Sequence, residues 1–285
     1  MSLVPVLEIG GTHVSSALVD ASTWQVERTF RAALDADGPA EDLLDAFVTA
    51  AVELGSCSAR WGVAMPDPFD YVSGIALFEG VGKFGALRGV DVGAALRARL
   101  GADVAFLNDA DAFVLGEWAA GSARGSARCV GLTLGTGVGS GWVVDGRVVD
   151  PGDPAGGRIH TASVDGRPLE DVVSRRALRH EFAAAGGPAS ADVREITALA
   201  RAGDVVARRV VDAAYSSLGT VVGPRVAAFG ADVLVVGGSV AAAWDVLAGP
   251  FGAGAERAGA VLPPVRVVAD SDHSALVGAA VHALR

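Results

Sequence analysis

The sequence contains little cysteine and no long apolar run, and both absences narrow what the protein can be. Two cysteines, Cys57 and Cys129, are too few for a disulfide framework or a thiolate zinc site. The apolar stretch 221–238 is interrupted by Pro224 and by charged residues, which predicts a core helix followed by a strand. We therefore expect no signal peptide and no spanning helix, and a reduced, cytoplasmic setting.

Positive charge is also in deficit. The chain has 23 Lys and Arg against 33 Asp and Glu, a formal net charge of −10. This balance argues against nucleic acid or an anionic membrane as partner. With 285 residues, 51% of them hydrophobic, the chain can fill one large or two medium domains. An acidic protein can still bind a nucleoside triphosphate through backbone N–H groups and a divalent cation.

Several common nucleotide-binding and catalytic motifs are missing. The pair Gly82-Lys83 is followed by Phe84, so there is no Walker-type phosphate loop. The glycine-rich run 135–141 continues as a strand and a hairpin, whereas a dinucleotide fingerprint requires a helix at that point. No Gly-x-Ser-x-Gly hydrolase elbow occurs. We expect Lys83 to be a solvated loop charge, and turn chemistry beside proline accounts for Asp67 as well as a ligand role does.

One structural plan is present twice, with copies starting near residues 4 and 129. Apolar periodicity predicts first-copy strands at 4–9, 13–19, 24–31, 61–65 and 104–107, and helices at 39–54, 92–100 and about 109–121. It predicts second-copy strands at 129–134, 138–144, 147–149, 232–236 and 265–268, and helices at about 169–185, 191–201, 204–229, after 239 and from 274. Irregular loops are predicted over residues 69–90 and 150–168. The duplication predicts two α/β lobes with a ligand cleft between them.

Three glycine turns follow apolar strands of this plan. Glycine lets the backbone approach an anion and point successive N–H groups at it, so each turn can hold phosphate. A single glycine turn usually has no ligand-binding role, but three of them, each directly after an apolar strand, favour a phosphate-binding function. The third turn also precedes a predicted helix, whose N-terminus attracts anions. The three are Gly10-Gly11-Thr12, Gly135-Thr136-Gly137 and Gly237-Gly238-Ser239.

A strand, a polar turn and a helix meet at Asn108-Asp109. Apolar residues run up to Leu107, and a helical pattern follows. Asn and Asp both cap helices, so the stretch taken alone favours a plain helix cap over a catalytic carboxylate.

Taken together, the motifs of this chain resemble the ROK family (repressors, open reading frames, kinases). The matching segments are Glu8-Ile9-Gly10-Gly11-Thr12, Asn108-Asp109-Ala110-Asp111, Leu132-Thr133-Leu134-Gly135-Thr136-Gly137-Val138-Gly139 and Gly237-Gly238-Ser239. The resemblance implies an α/β, two-lobed actin/hexokinase-like (ribonuclease H-like) fold of duplicated domains, with an interlobe cleft. It implies a small N-terminal lobe of residues 1–108 plus a C-terminal helix at about 272–285, and a larger lobe of residues 109–271. Most members are ATP-dependent sugar kinases.

The resemblance also implies roles for individual residues. Asp109 would be the general base toward the attacking hydroxyl, and Asn108 would bind neighbouring sugar hydroxyls. The three glycine turns would hold ATP. Glu8 would act near Mg²⁺ through water, although the family usually has aspartate there.

The sugar-contact segment departs from the family pattern. It reads Ala155-Gly156-Gly157-Arg158-Ile159-His160, without the usual glutamate, and no cysteines follow it. Because structural zinc needs about four ligands, we expect none here. His160 fits a loop hydrogen bond as well as a sugar contact. Glu170 fits a charge in the first helical turn as well as a sugar ligand.

The resulting hypothesis is a glucokinase-like kinase that phosphorylates a sugar or polyol with ATP and Mg²⁺. A weakened paralogue that binds sugar or nucleotide without fast turnover is the first alternative, motivated by Glu8 and by Gly157-Arg158. A sugar-responsive regulator is the second. Family regulators carry a helix-turn-helix before the first strand, and the few residues there and the negative charge favour the kinase. A homodimer is left open.

Overall fold

The computed structural model describes residues 2–55, 58–149 and 157–285. Cys57, Ala155 and Gly156, named above, lie outside these ranges. The chain divides into two compact units, Met1–Arg124 with Asp272–Arg285, and Gly125–Ser271. The sequence analysis expects the first unit to end at residue 108. In the structure it extends to Arg124, so it also contains the helix that follows Asn108.

The first unit is built on a five-stranded sheet in the order β3-β2-β1-β4-β7. Strands β1, β2 and β3 are antiparallel, and β4 and β7 continue the sheet in parallel to β1. In chain order the elements are β1 (Leu3–Ile9), β2 (His13–Asp20), β3 (Val26–Ala33), α1 (Ala40–Val52), β4 (Arg60–Met65), β5 (Phe69–Asp70), β6 (Ile75–Ala76), α2 (Val92–Leu100), β7 (Asp103–Asn108) and α3 (Asp109–Ala120).

The second unit repeats this topology in the order β10-β9-β8-β13-β14. Again the first three strands are antiparallel and the last two are parallel to the first. Its elements are β8 (Arg128–Leu134), β9 (Val138–Val144), β10 (Arg147–Val148), β11 (Ser163–Val164), β12 (Arg167–Pro168), α4 (Glu170–Val173), α5 (Arg175–Ala184), α6 (Val193–Arg201), α7 (Val205–Phe229), β13 (Val233–Gly237), α8 (Trp244–Arg257) and β14 (Val265–Val267). The predicted duplication is therefore present in the strand order itself.

The C-terminal helix α9 (Ser271–Ala283) returns to the first unit and packs on α3. Two glycines make the close approach possible. A Cβ on Gly116 would clash with the backbone of Ser274, and one on Gly278 would clash with the backbone of Ala112. Because the obstacles are backbone atoms, neither glycine can be enlarged without separating the helices. This contact fixes the helix that begins at the Asn108-Asp109 stretch.

Each unit has its own apolar core, and the central strands are buried along most of their length. In the first unit the core includes the fully buried Phe47, Phe78 and Phe84. In the second it includes Tyr215, Phe229 and Phe251 beneath α7 and α8.

The structure differs from the sequence prediction mainly in the segments read as loops. Hairpins β5–β6 and β11–β12 form where irregular chain was expected. The helix predicted over 169–185 is divided at Ser174, whose backbone is extended and whose hydroxyl caps α5 through the Ala177 N–H. The local capping preference of serine interrupts the apolar period there. Helix α9 starts three residues earlier than predicted, at Ser271.

Among the described residues, no helix is both long enough and apolar enough to cross a membrane.

Candidate functional site

In the first unit, the end of β7 and the start of α3 place two polar side chains side by side. Asn108 is the N-cap of α3, and its carbonyl oxygen accepts the N–H groups of Ala110 at 3.0 Å and Asp111 at 3.4 Å. Its amide group donates to Oδ2 of Asp67 at 3.2 Å and contacts the Tyr71 hydroxyl at 3.1 Å. The cap is thus Asn108, which leaves Asp109 as the first helical residue.

Asp109 is held in a setting suited to proton transfer. One oxygen, Oδ1, accepts the N–H of Ala110 at 2.8 Å. The surrounding protein removes water from the carboxyl, and this burial raises its pKa above the ordinary value. The Lys83 ammonium opposes that rise, while Asp67 and Glu8 add to it. A carboxylate that is only partly stabilised as an anion is a better proton acceptor.

Lys83 is a residue of this site that the sequence interpretation set aside. It was expected to be a solvated loop charge, but its side chain is only half exposed and its stem lies against Gly11. Its charge acts on Asp109. A lone lysine in a glycine-rich loop carries no periodic or motif signal, so sequence reasoning had no means of placing it.

The first glycine turn joins β1 to β2 as a tight hairpin closed by the Gly10 N–H to His13 carbonyl bond of 2.9 Å. The Thr12 hydroxyl lies 3.1 Å from Nδ1 of His13, and Thr12 itself is exposed. Glu8, two residues before the turn, influences Asp109 electrostatically. The predicted phosphate turn, base and metal-side carboxylate therefore occupy one region of the first unit.

The Glu8 carboxylate could accept a hydrogen bond from a water molecule bound to Mg²⁺. It is 8% exposed, and its Oε2 has no hydrogen-bond partner among the described residues. The His13 ring lies nearby, with Nε2 3.5 Å from Oε2 of Glu8. Carboxylate oxygens suit Mg²⁺, which retains several waters and takes few protein ligands. Among the described residues, no group of three or more His, Cys, Asp or Glu side chains could hold a metal.

In the second unit, the other two glycine turns lie next to each other. A Cβ on Gly135 would come 3.8 Å from Oγ of Ser239, and Val240 N–H donates to the Leu134 carbonyl at 3.0 Å. Gly238 has φ +91° and lies directly on the Leu134 backbone. The expected α-helix does not follow Ser239 at once, because a short 3₁₀ turn, Ala241–Ala243, precedes α8. The N-terminus of α8 therefore does not adjoin this turn.

Glu170 lies against the second glycine turn. Its Oε1 accepts the Val138 N–H at 3.2 Å and fills the space beside Gly137, where any Cβ would clash with it. Glu170 is also the first residue of the short helix α4. Both of its sequence-based interpretations, a first-turn charge and a ligand near the site, are compatible with this position.

The segment around His160 is organised by Ser140 and Trp142 of β9. The Gly157 carbonyl accepts from the Trp142 indole N–H at 2.8 Å and from the Ser140 hydroxyl at 3.2 Å. The Ile159 N–H donates to the Ser140 oxygen at 3.0 Å. These bonds hold the one-turn helix Ile159–Thr161, in which His160 is half-buried. Its role as a sugar contact stays a prediction.

Comparison with known proteins identifies the family. The ROK family model matches residues 5–285. A glucokinase from Thermotoga maritima is 29% identical over 270 residues, covering 86% of this chain and 84% of that protein. The structure of a ROK hexokinase from Thermus thermophilus has a TM-score of 0.80 at 28% identity, covering 99% of this chain and 98% of that one.

A ROK glucokinase from Streptomyces griseus, solved with glucose and AMPPNP, has a TM-score of 0.78 at 23% identity and covers 98% of both chains. That likeness concerns the fold. With the duplicated sheet order, these likenesses confirm the α/β actin/hexokinase-like fold class. The chain belongs to the ROK family.

Proposed function

We propose that this protein is an ATP-dependent sugar kinase, transferring the γ-phosphoryl group of ATP to a hydroxyl of a sugar or sugar-like polyol. The observation that carries the proposal is the setting of Asp109. The carboxylate stands at the first turn of α3, its pKa is raised by burial, and Lys83 and Glu8 of the same region act on it electrostatically. Among the described residues only Oδ1 accepts a hydrogen bond, which leaves Oδ2 for a substrate hydroxyl. The family and the names of its similar relatives, a glucokinase and a hexokinase, support the reaction class.

Few groups take part in the phosphoryl-transfer step. The acceptor oxygen forms a bond to the γ-phosphorus, the bond from that phosphorus to the β-γ bridging oxygen breaks, and ADP leaves. Asp109 takes the hydroxyl proton. Asn108, held by Asp67 and Tyr71, orients neighbouring hydroxyls, with His160 and Glu170 as further sugar ligands. In such a transfer the protein mainly positions the reactants and stabilises charge.

The donor would be bound by backbone N–H groups of the glycine turns. These are Gly10-Gly11-Thr12, Gly135-Thr136-Gly137 and Gly237-Gly238-Ser239. Mg²⁺ would be held on the donor phosphates with Glu8 behind its water shell, and it would neutralise phosphate charge. The unpartnered Oε2 of Glu8 supports that assignment.

The test is ADP release measured across a panel of hexoses, N-acetylhexosamines and cyclitols, with wild type, Asp109→Asn and Asp103→Asn. Asp103 is an exposed carboxylate at the start of β7, the strand that leads into Asp109, so it controls for loss of a charge. Loss of a general base reduces turnover by roughly 10²–10⁴-fold. We expect that loss for Asp109→Asn only. Equal activity in Asp109→Asn and wild type would refute the assignment.

A second function, a weakened paralogue that binds without fast turnover, is motivated by Gly157 and Arg158 at the position of the family's usual glutamate. Calorimetry that detects Mg²⁺-ATP binding, together with an inactive substrate panel, would favour it. The structural likeness to a ROK transcriptional regulator, at 21% identity, concerns the fold and adds nothing to the regulator alternative.

A further inference from the structure

Lysine is almost absent from this chain. Of its 23 basic residues, 22 are arginine and one, Lys83, is lysine. This lysine lies against the first glycine turn, and its charge acts on Asp109. Lysine offers a compact point charge on a flexible stem, in contrast to the planar fork of arginine, and it is widely used to bind phosphate.

The backbone around Lys83 is fixed by its neighbour Phe84. That ring is fully buried and packs on Phe47 and Phe78, with centroid distances of 6.5 and 5.1 Å. The Phe84 N–H donates to the Ala36 carbonyl at 2.7 Å, and its φ of +57° is in the left-handed region that side chains other than glycine rarely adopt. Such strained positions concentrate at functional sites, where the surrounding structure enforces them.

From this anchor the Lys83 stem extends to the first glycine turn. Its Cδ lies 3.4 Å from the position that a Cβ of Gly11 would take. Its charge reaches the Asp109 carboxylate, and Asp67 and Glu8 are the other charged groups acting on that carboxylate. The Lys83 stem thus lies at the turn proposed for phosphate, and its charge acts on the proposed base.

The charges also leave the Lys83 ammonium available to a ligand. Arg88, in the same segment, is paired with Glu79 at 2.9 Å, whereas no ion pair of Lys83 within 4.0 Å occurs among the described residues. An ammonium group that no close carboxylate neutralises keeps its charge for an incoming anion.

We propose that Lys83 is a catalytic residue whose ammonium group binds the phosphoryl group in flight between the Gly10–Thr12 turn and the acceptor hydroxyl at Asp109. The inference rests on the proposed kinase function and adds a cation to it. As the bond to ADP breaks and the bond to the acceptor oxygen forms, negative charge spreads over the equatorial oxygens of the phosphoryl group. A fixed cation there stabilises that charge without any transfer of its own proton.

The kinetic test compares Lys83→Met and Lys83→Arg with Arg88→Met. Methionine keeps the stem that packs on Gly11 and removes the charge, and Arg88→Met removes an equivalent charge from the same segment. We expect Lys83→Met to lower kcat roughly 10²-fold with the sugar KM unchanged. Lys83→Arg should recover part of that loss, and Arg88→Met should retain wild-type kcat.

The pH profile gives a readout that lost packing would not move. Without the Lys83 charge the pKa of Asp109 rises, so the acidic limb of the kcat profile should shift to higher pH in Lys83→Met. A kcat within twofold of wild type, or a loss that appears only in the sugar KM, would overturn the role assigned to Lys83.

A direct binding test uses the uniqueness of the lysine. Reductive methylation with ¹³C-formaldehyde keeps the charge and labels one side chain in the whole chain, besides the N-terminal amine. We expect Mg²⁺-ATP to shift the Lys83 signal in wild type and in Asp109→Asn, and adenosine to leave it unmoved. A shift by ATP in a protein that phosphorylates nothing on the panel would refute the kinase function and retain phosphate binding by Lys83. An unmoved signal at saturating ATP in an active kinase would refute the Lys83 proposal alone.

Discussion

The side chain of Asn108 joins a helix cap to the Asp67 carboxylate. Its amide group donates to Oδ2 of Asp67 at 3.2 Å, while its carbonyl oxygen accepts the Ala110 N–H at 3.0 Å. Tyr71 braces the pair, with its hydroxyl donating to Oδ1 of Asp67 at 2.9 Å. Asn108 therefore both caps α3 and places a polar amide group next to Asp109 in the chain. Substitutions that keep one of these functions and remove the other can separate them.

Asn108→Asp should separate them, because aspartate also caps helices but cannot donate to Asp67. The cap is kept, but the new carboxylate lies beside that of Asp67, so we expect stability to fall at pH 7 and to recover in acid. The sugar KM should rise at least about tenfold through loss of the donor and an added charge. Asn108→Ala should lose both functions, with about 1 kcal/mol less stability. Asp204→Ala removes the cap of α7, in the second unit, and serves as the control. It should match the stability loss with an unchanged sugar KM, and a KM increase there would contradict the assignment.

Asp109→Asn should be more stable than wild type at neutral pH, although it is less active. Burial raises the pKa of Asp109 in the folded protein, so its charged form costs stability. The cost begins as pH rises through the ordinary aspartate range, is complete above the raised folded pKa, and disappears in acid. The melting temperature of Asp109→Asn should thus exceed that of wild type at pH 7, and the difference should vanish near pH 3.

Asp192→Asn provides a contrast of opposite sign. The Val193 N–H and Arg175 hold the pKa of Asp192 below its ordinary value, so its charged form contributes stability that is lost in acid. Asp192→Asn should therefore be less stable than wild type at pH 7, and again equal to it at low pH. Parallel trends for the two variants would contradict the desolvated setting of Asp109.

The duplicated sheet could be predicted because its central strands are short apolar runs bounded by glycine turns, hairpin turns or a polar cap. The same local signals located Asn108-Asp109. Ser174 is a position where these local signals fail. The apolar period continues through it, but its capping bond divides the helix. Lys83 shows a second limit. Its place beside Gly11 depends on the burial of Phe84 and the bond to Ala36, which are tertiary contacts with no counterpart in local sequence.

Gly135 and Gly238 should respond differently to alanine, although both belong to proposed phosphate turns. A Cβ on Gly135 meets only Oγ of Ser239 at 3.8 Å, an ordinary contact, whereas one on Gly238 clashes with the Leu134 backbone at a φ of +91°. Gly135→Ala should have the melting temperature of the wild type. Its ATP KM should rise, because the added methyl group occupies space proposed for the phosphate. Gly238→Ala should lose roughly 1–3 kcal/mol of stability.

Gly252→Ala is the matched control for this pair. Gly252 lies in α8 with no atom within 4 Å of its Cβ position. Alanine there should leave the ATP KM unchanged and stabilise the helix by up to about 1 kcal/mol. An ATP KM that is the same in Gly135→Ala and Gly252→Ala would remove Gly135 from the donor site.

Glu8→Gln should weaken the response to Mg²⁺ and leave the sugar site intact. The buried Oε2 has no hydrogen-bond partner among the described residues, and a glutamine amide there could not accept from metal-bound water with the strength of a carboxylate. Loss of a partner behind a metal's ligands typically costs 10–100-fold in metal affinity, so the Mg²⁺ concentration for half-maximal activity should rise about tenfold or more. Glu79→Gln, which removes an exposed carboxylate paired with Arg88, is the control. Electron paramagnetic resonance of Mn²⁺ bound with ATP should report the same weakening without catalysis, and unchanged Mn²⁺ affinity in Glu8→Gln would exclude Glu8 from the metal site.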